Sequence, residues 1–254
     1  MASPRPPPRR RPKAKAPAGA GAHPSKPSLS RQRVIRAAVR ELDDRGLAAF
    51  SIRNLAHRLG VYPAAIYWHV ASRDLVLAEV VAHVLGAVEP RADLAWQRYL
   101  RELFARYRAS IKNHPNMAPL VGAHLIGNRS IRLSLVERVL AKLGEAGFGG
   151  LELVAAYNTV IAALVGFVTQ EFAPIPEDRS AEWQAAVEAR VQAVDVAGYP
   201  VLAANLPLLA NRAFILRWQS GAQVPLDHSF DRYVDVVIGG LERLAADRGK
   251  RKRR

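Results

Sequence analysis

The chain has 254 residues and half of them are apolar, which is room for one sizeable core and flanking tails. It contains no cysteine, so disulfides, thiolate catalysis and cysteine-ligated zinc are excluded. The formal net charge is +15, and thirteen of those charges sit in residues 1–28 and 248–254, which hold no acid. Residues 31–75 carry a surplus of four basic groups, and residues 76–247 a deficit of two. A basic head on a slightly acidic body fits DNA contact at one end only.

Residues 1–28 contain eight prolines, no aromatic residue and almost no bulky apolar side chain. Such a segment cannot bury a core and is expected to be disordered. No apolar stretch follows its basic start, so it does not read as a secretory signal. It reads as a solvated tail or as a flexible arm that adds salt-dependent DNA affinity.

Residues 29–76 read as a small helical domain. Ser30 is a good N-cap, and Leu29 is placed to staple onto Val34. Ile35, Val39 and Leu42 make a buried stripe that Gly46 ends. Residues 51–75 then read as two short helices joined by a tight turn. Ser51 caps the first, Ile52 to Leu59, whose apolar face is Leu55, Ala56 and Leu59. Gly60 supplies the positive φ that stops it. Pro63 opens the second helix at its first position, where a missing N–H costs nothing. Ile66 and Val70 point inward, and Ala64, Ala65, Tyr67 and His69 face outward. This is a helix-turn-helix, whose second helix enters the DNA major groove. The small Ala64 and Ala65 allow close approach to thymine methyls, and Tyr67 and His69 offer hydrogen bonds to bases. Arg53 and Arg73 are placed for phosphates. Trp68 reads equally as core or as phosphate-facing, and His57 reads as solvent-facing.

Residues 77–247 read as an all-helical body. A helix over 73–87 leads into it, closed by Glu89-Pro90. From 93 to 112 the apolar residues Trp96, Tyr99, Leu100, Leu103, Phe104, Tyr107 and Ile111 keep helical spacing, and His114-Pro115-Asn116 breaks it. Helices are expected at 117–125 and 130–143. Residues 151–172 are apolar nearly all round, the mark of a helix buried on all sides. Glu152, Asn158, Thr159 and Gln170 argue against a bilayer span. A polar helix is expected over 178–196 and short helices over roughly 200–219. The last helix, 228–247, carries a heptad-like seam of Phe230, Val234, Val237, Leu241 and Leu244. Paired with 151–172 and doubled by symmetry, it makes a four-helix bundle. Residues 248–254 read as a basic tail.

No catalytic motif appears: there is no phosphate-binding glycine loop, no Gly-x-Ser-x-Gly elbow and no His-Glu-x-x-His. The chain does not read as an enzyme, and no cofactor or metal is expected.

Gly60-Val61, Tyr67-Trp68-His69-Val70 and Arg73-Asp74-Leu75 closely resemble the DNA-binding domain of the tetracycline-repressor family, and the Tyr-Trp-His run is most similar to the tetracycline-repressor branch. The resemblance covers residues 30–77 and continues more weakly through Trp96-Gln97, Glu145-Ala146-Gly147-Phe148 and Gly240-Leu241-Glu242. It implies an all-α, cytoplasmic, homodimeric regulator, most simply a repressor that binds a palindromic operator in double-stranded DNA and is released by a small-molecule effector. It implies dimerisation through 151–172 and 228–247, with helix 73–87 carrying the signal. It also implies an apolar pocket, with Trp96, Leu103, Phe104, Tyr107, His124, Tyr157 and Gln170 as candidate contacts. In tetracycline-binding members a histidine and a partner glutamate help to hold a magnesium–drug chelate. Here His124 fits only with a few inserted residues, and Gln170 stands where the glutamate is expected, with Glu171 next to it. Neither tetracycline nor magnesium is therefore expected. The rival readings are an architectural DNA-binding protein without effector and an all-helical enzyme.

Overall fold

The computed structural model describes residues 29–126, 133–173, 181–214 and 216–252. The arm at 1–28 and the ends of two expected helices, at 130–132 and 178–180, lie outside the described residues. Every regular element among the described residues is helical.

The head is built as its local signals dictate. α1 (Arg31–Arg45) starts where the Ser30 hydroxyl accepts the Arg33 N–H, and it stops at Gly46 with φ +72°. α2 (Ile52–Leu59) starts where the Ser51 hydroxyl accepts the Asn54 N–H at 3.1 Å. It stops at Gly60, whose φ of +66° and ψ of +37° are left-handed, a conformation a Cβ disfavours. α3 (Pro63–Tyr67) has proline at its first position. α4 (Arg73–Val84) is capped by Ser72 and runs into a single 3₁₀ turn at Leu85–Ala87. α1 packs on α2 and α4, and α2 on α3. Val34, Ala38, Leu42, Leu55 and Ile66 close a small core with almost no exposure. Three ion pairs lace it: Arg58 of α2 bridges Glu41 and Asp44 of α1, and Arg31 meets Glu79 of α4.

The body follows as α5 (Trp96–Asn113), a 3₁₀ turn at Pro115–Met117, α6 (Ala118–Ile126), α7 (Leu133–Glu145), α8 (Leu151–Glu171), α9 (Ala181–Gln192), α10 (Pro200–Leu209) and α11 (Asp227–Lys252). α8 is its axis, packing on α5, α6, α7 and α11. By length and composition α8 alone among these helices could cross a membrane. Its inner face is instead packed: Val160, Leu164, Phe167 and Val168 are buried.

Some boundaries differ from expectation. α5 begins at Trp96 rather than 93, α9 ends at Gln192 rather than 196, and α10 ends at Leu209. α11 runs through Lys252, so most of the expected basic tail continues the last helix. The seam on α11 is also different. Phe230, Val234, Ile238 and Leu241 are buried, whereas Leu244 is more than half exposed and Val237 is only partly covered. The core of one protomer takes a four-residue step at 234–238, which rotates the stripe away from the heptad reading.

Candidate DNA-binding interface and its coupling to the body

Ile66 and Val70 are locked into the head core at 0% and 2% exposure, which fixes how the rest of α3 is presented. Ala64 and Tyr67 face solvent, while Ala65 and His69 are half-buried. Trp68 follows the helix and is 89% exposed, which removes the core alternative. Tyr62, the N-cap of α3, is 85% exposed and was not singled out from the sequence. Three bared aromatic residues around one five-residue helix are unusual for a free surface and mark a face built for contact. The signal for Tyr62 was its place directly ahead of Pro63, where neither a polar cap nor a core residue is needed.

Arg53, at the second position of α2, is exposed and makes no ion pair among the described residues. Arg73 is exposed at the start of α4, with its guanidinium 5.5 Å over the Phe50 ring and a 3.4 Å contact to the Phe50 carbonyl. Arg58, by contrast, is held by Glu41 and Asp44, which first through these hydrogen bonds raise its pKa. Its charge serves the head rather than a ligand.

The head is fastened to the body at two places that the sequence did not reveal. The His114 ring Nδ1 lies 3.0 Å from the Asp43 carboxylate, and the Asn116 side-chain amide donates to the Asp43 carbonyl at 2.7 Å. The Ser110 hydroxyl donates to the Val84 carbonyl at 2.6 Å, at the end of α4. Arg106 donates to the Glu89 carbonyl beyond it. α5 therefore grips α4 where the head ends, and any shift of α5 is felt by α4.

Of the expected effector contacts, Leu103, Phe104 and Tyr107 on α5 are packed at 0–1% exposure. Burial pushes the Tyr107 hydroxyl well above its usual range. His124 is buried on α6, and Trp96 and Tyr157 are partly covered. Gln170 is exposed on the outer side of α8, where it lines a different hollow with Phe167, Phe214 and Tyr233. Glu171 points inward and both its oxygens are engaged: Arg108 donates at 2.6 and 2.8 Å, and the Leu226 N–H at 2.9 Å. No group of three or more His, Asp or Glu able to hold a metal occurs among the described residues.

On α8 the outward residues are Leu151, Glu152, Val154, Ala155, Asn158, Thr159, Ala162 and Gln170. On α11 they include Arg232, Val236, Gly239, Gly240 and Leu244. A Cβ at Gly166, Gly239 or Gly240 would meet nothing within 4 Å, so backbone can approach this face closely. It is a broad surface of small, apolar and scattered polar residues across two neighbouring helices, the shape of a bundle half.

A capped helix-turn-helix with a bare recognition helix, set on an all-helical body with an open two-helix face, defines a DNA-binding regulatory protein. Comparison with known proteins agrees. Residues 34–80 match the family model of bacterial regulatory proteins of the tetR family, and residues 89–243 match the tetracyclin repressor-like C-terminal domain. An HTH-type transcriptional regulator of Saccharopolyspora erythraea is 32% identical over 87% of this chain and 88% of its own. The class C tetracycline repressor protein of Escherichia coli is 25% identical over 85% of this chain and 92% of its own. The crystal structure of BioQ with its double-stranded DNA operator is 30% identical, with a TM-score of 0.54 over 70% of this chain and 99% of that one. The chain belongs to the tetR family. As a member it is an HTH-type transcriptional regulator.

Proposed function

We propose that α3 reads operator bases through Tyr67 and His69, with Ala64, Ala65 and Trp68 against the groove walls and Arg53 and Arg73 on phosphates. The observation that carries this is the bared α3 face, held outward by the buried Ile66 and Val70. Two copies joined through α8 and α11 set two recognition helices on the half-sites of a palindrome. The effector acts by binding the DNA-incompetent state more tightly than the competent one, since equal affinity would shift nothing. The signal leaves the body through α5, whose Ser110 and Arg106 hold the end of α4 and the segment after it. Trp96, His124 and Tyr157 are candidate effector contacts at the margin of the α5–α6–α8 core. Leu103, Phe104 and Tyr107 would be reached only if those helices part. The protein works in the cytoplasm, where its DNA lies, and without catalysis, as its relatives are transcriptional regulators.

Selection of genomic DNA fragments by the purified full-length protein tests the reading at near-physiological salt. The expected product is a palindrome with half-sites about one helical turn apart. Recovery of fragments without a shared sequence would overturn it in favour of an architectural role.

A further inference from the structure

A partly open cavity of about 440 Å³ lies between α9, α10 and the loop that follows them, and none of the packed aromatics of α5 lines it. That volume is within the range of small-molecule sites. Its walls are mostly apolar: Val191, Val194, Val196, Leu206, Pro207 and Trp218. Its polar side chains are Glu188, Gln192 and the Trp218 indole. Glu188 is the one charged residue on the lining, and its carboxylate has a 3.4 Å contact with the Gln192 amide. Pro207 lies inside α10 and has no N–H, so the carbonyl of Ala203, also on the cavity wall, loses its usual helical donor.

Trp218 is set by a built loop. Asn211 has φ +59° and its side-chain oxygen accepts the N–H groups of Trp218 and Gln219 at 3.0 and 3.1 Å. The same loop is fastened to the end of α8. Gly221 donates to the Glu171 carbonyl at 2.9 Å, and a Cβ there would come within 2.6 Å of that oxygen. Glu171 in turn holds Arg108 of α5. The cavity is thus joined by Trp218, the loop, Glu171 and Arg108 to the helix that grips α4.

We infer that the α9–α10 cavity is an effector site for a small lipophilic ammonium compound: an aromatic or aliphatic body against Trp218 and the valines, with the cationic N–H group on Glu188 and the Ala203 carbonyl. The inference rests on the effector-responsive reading above and names the class of ligand and its place. Occupancy displaces Trp218, and the displacement reaches α4 through the loop and the Glu171–Arg108 pair.

The test uses the full-length protein and three probes with one apolar body: 1-naphthylmethylammonium, 1-naphthylmethanol and 1-naphthylacetate. Calorimetry should show the ammonium binding about fivefold tighter than the alcohol, as one exposed carboxylate allows, and the acetate weakest. Glu188→Gln should bring the ammonium to the affinity of the alcohol, and Leu206→Trp should abolish binding of all three. Equal binding of the three probes, or an unchanged preference in Glu188→Gln, overturns the site. Binding of none, together with a dimer broken by Leu208→Arg, would show that a second copy covers α10, and this also overturns it. Coupling is read without DNA as a change in amide exchange over residues 73–84 when the ammonium is added; unchanged exchange refutes the effector role. Failure to recover an operator in the genomic selection would instead refute the regulatory reading and leave the cavity result standing.

Discussion

Replacing Arg108 by methionine should destabilise the protein more than any exposed substitution. The side chain of Glu171 is wholly buried and that of Arg108 is 11% exposed. The pair is bidentate, with contacts at 2.6 and 2.8 Å, and the hydrogen bond to Glu171 is the first cause of the raised Arg108 pKa. Methionine keeps much of the volume but leaves a buried carboxylate with one remaining donor, the Leu226 N–H. Breaking a buried pair from one side costs about 3 to 5 kcal/mol. The guanidinium also lies 4.6 Å over the Phe230 ring, which adds about 0.5 to 1 kcal/mol. Its contact with Asp227 adds little, because Asp227 is 66% exposed. A loss of about 4 kcal/mol is therefore expected in urea unfolding at fixed protein concentration, since a dimer's stability depends on concentration. The double variant Arg108→Met, Glu171→Leu should recover about half of that loss, because the unpaired charge is gone and one amide is left unsatisfied. A single-variant loss below about 1 kcal/mol, or no recovery in the double variant, would refute the view that this pair is a dry junction.

The head offers three further tests. Arg53→Ala should weaken binding to all sequences alike and lower the slope of log affinity against log salt by about 1; an unchanged slope removes Arg53 from the phosphates. Tyr67→Ala should relax base preference at one position of each half-site, read by binding to a set of single-base operator variants, and intact preference removes Tyr67 from the readout. Gly60→Ala should cost about 1 to 2 kcal/mol from the left-handed backbone alone, since its Cβ meets no neighbour; a stability unchanged in thermal unfolding would contradict that. In the body, burial pushes the Tyr99 hydroxyl up to about 12 and that of Tyr107 also upward. Folded values above the unfolded value of about 10 mean that stability is retained below that pH and lost as pH rises toward 12. Tyrosinate absorbance followed together with circular dichroism should show these two groups still protonated in the folded protein at about pH 10, where an unfolded tyrosine is half ionised. Their ionisation at that pH in a folded protein would sink the argument.

Much of the head was legible because its signals are local. Ser30, Ser51, Gly46, Gly60 and Pro63 each act within four residues, and capping and turn chemistry do not wait for the rest of the chain. Ile66 was readable as inward from helical spacing and Ala64 and Tyr67 as outward, whereas Ala65 and His69, also expected outward, are half-buried. Trp68 was not, because the helix ends at Tyr67 and spacing loses its meaning there. In the body, the order and type of the helices followed from periodicity, yet the seam on α11 did not. Val237 and Ile238 are adjacent apolar residues, and only the packing of α11 against α5 and α8 selected Ile238 for the core.

The aromatic residues of α5 show the same division. Sequence made them apolar and regularly spaced, which suits a core and a ligand pocket equally, and the tertiary structure closed Leu103, Phe104 and Tyr107 into the core. The functional connections were decided wholly by tertiary structure. Asp43 meets His114 across 71 residues and Arg108 meets Glu171 across 63. The α9–α10 cavity joins side chains from two helices and a loop. Such partners leave no trace in spacing, because a charge or a buried face is satisfied by whatever the fold brings to it. By itself the chain determined a capped helix-turn-helix, the inward Ile66 of its second helix, and the apolar stripes of the body. Which of those stripes close on each other, which carboxylate finds which guanidinium, and where space remains for a ligand were decided only when the helices packed.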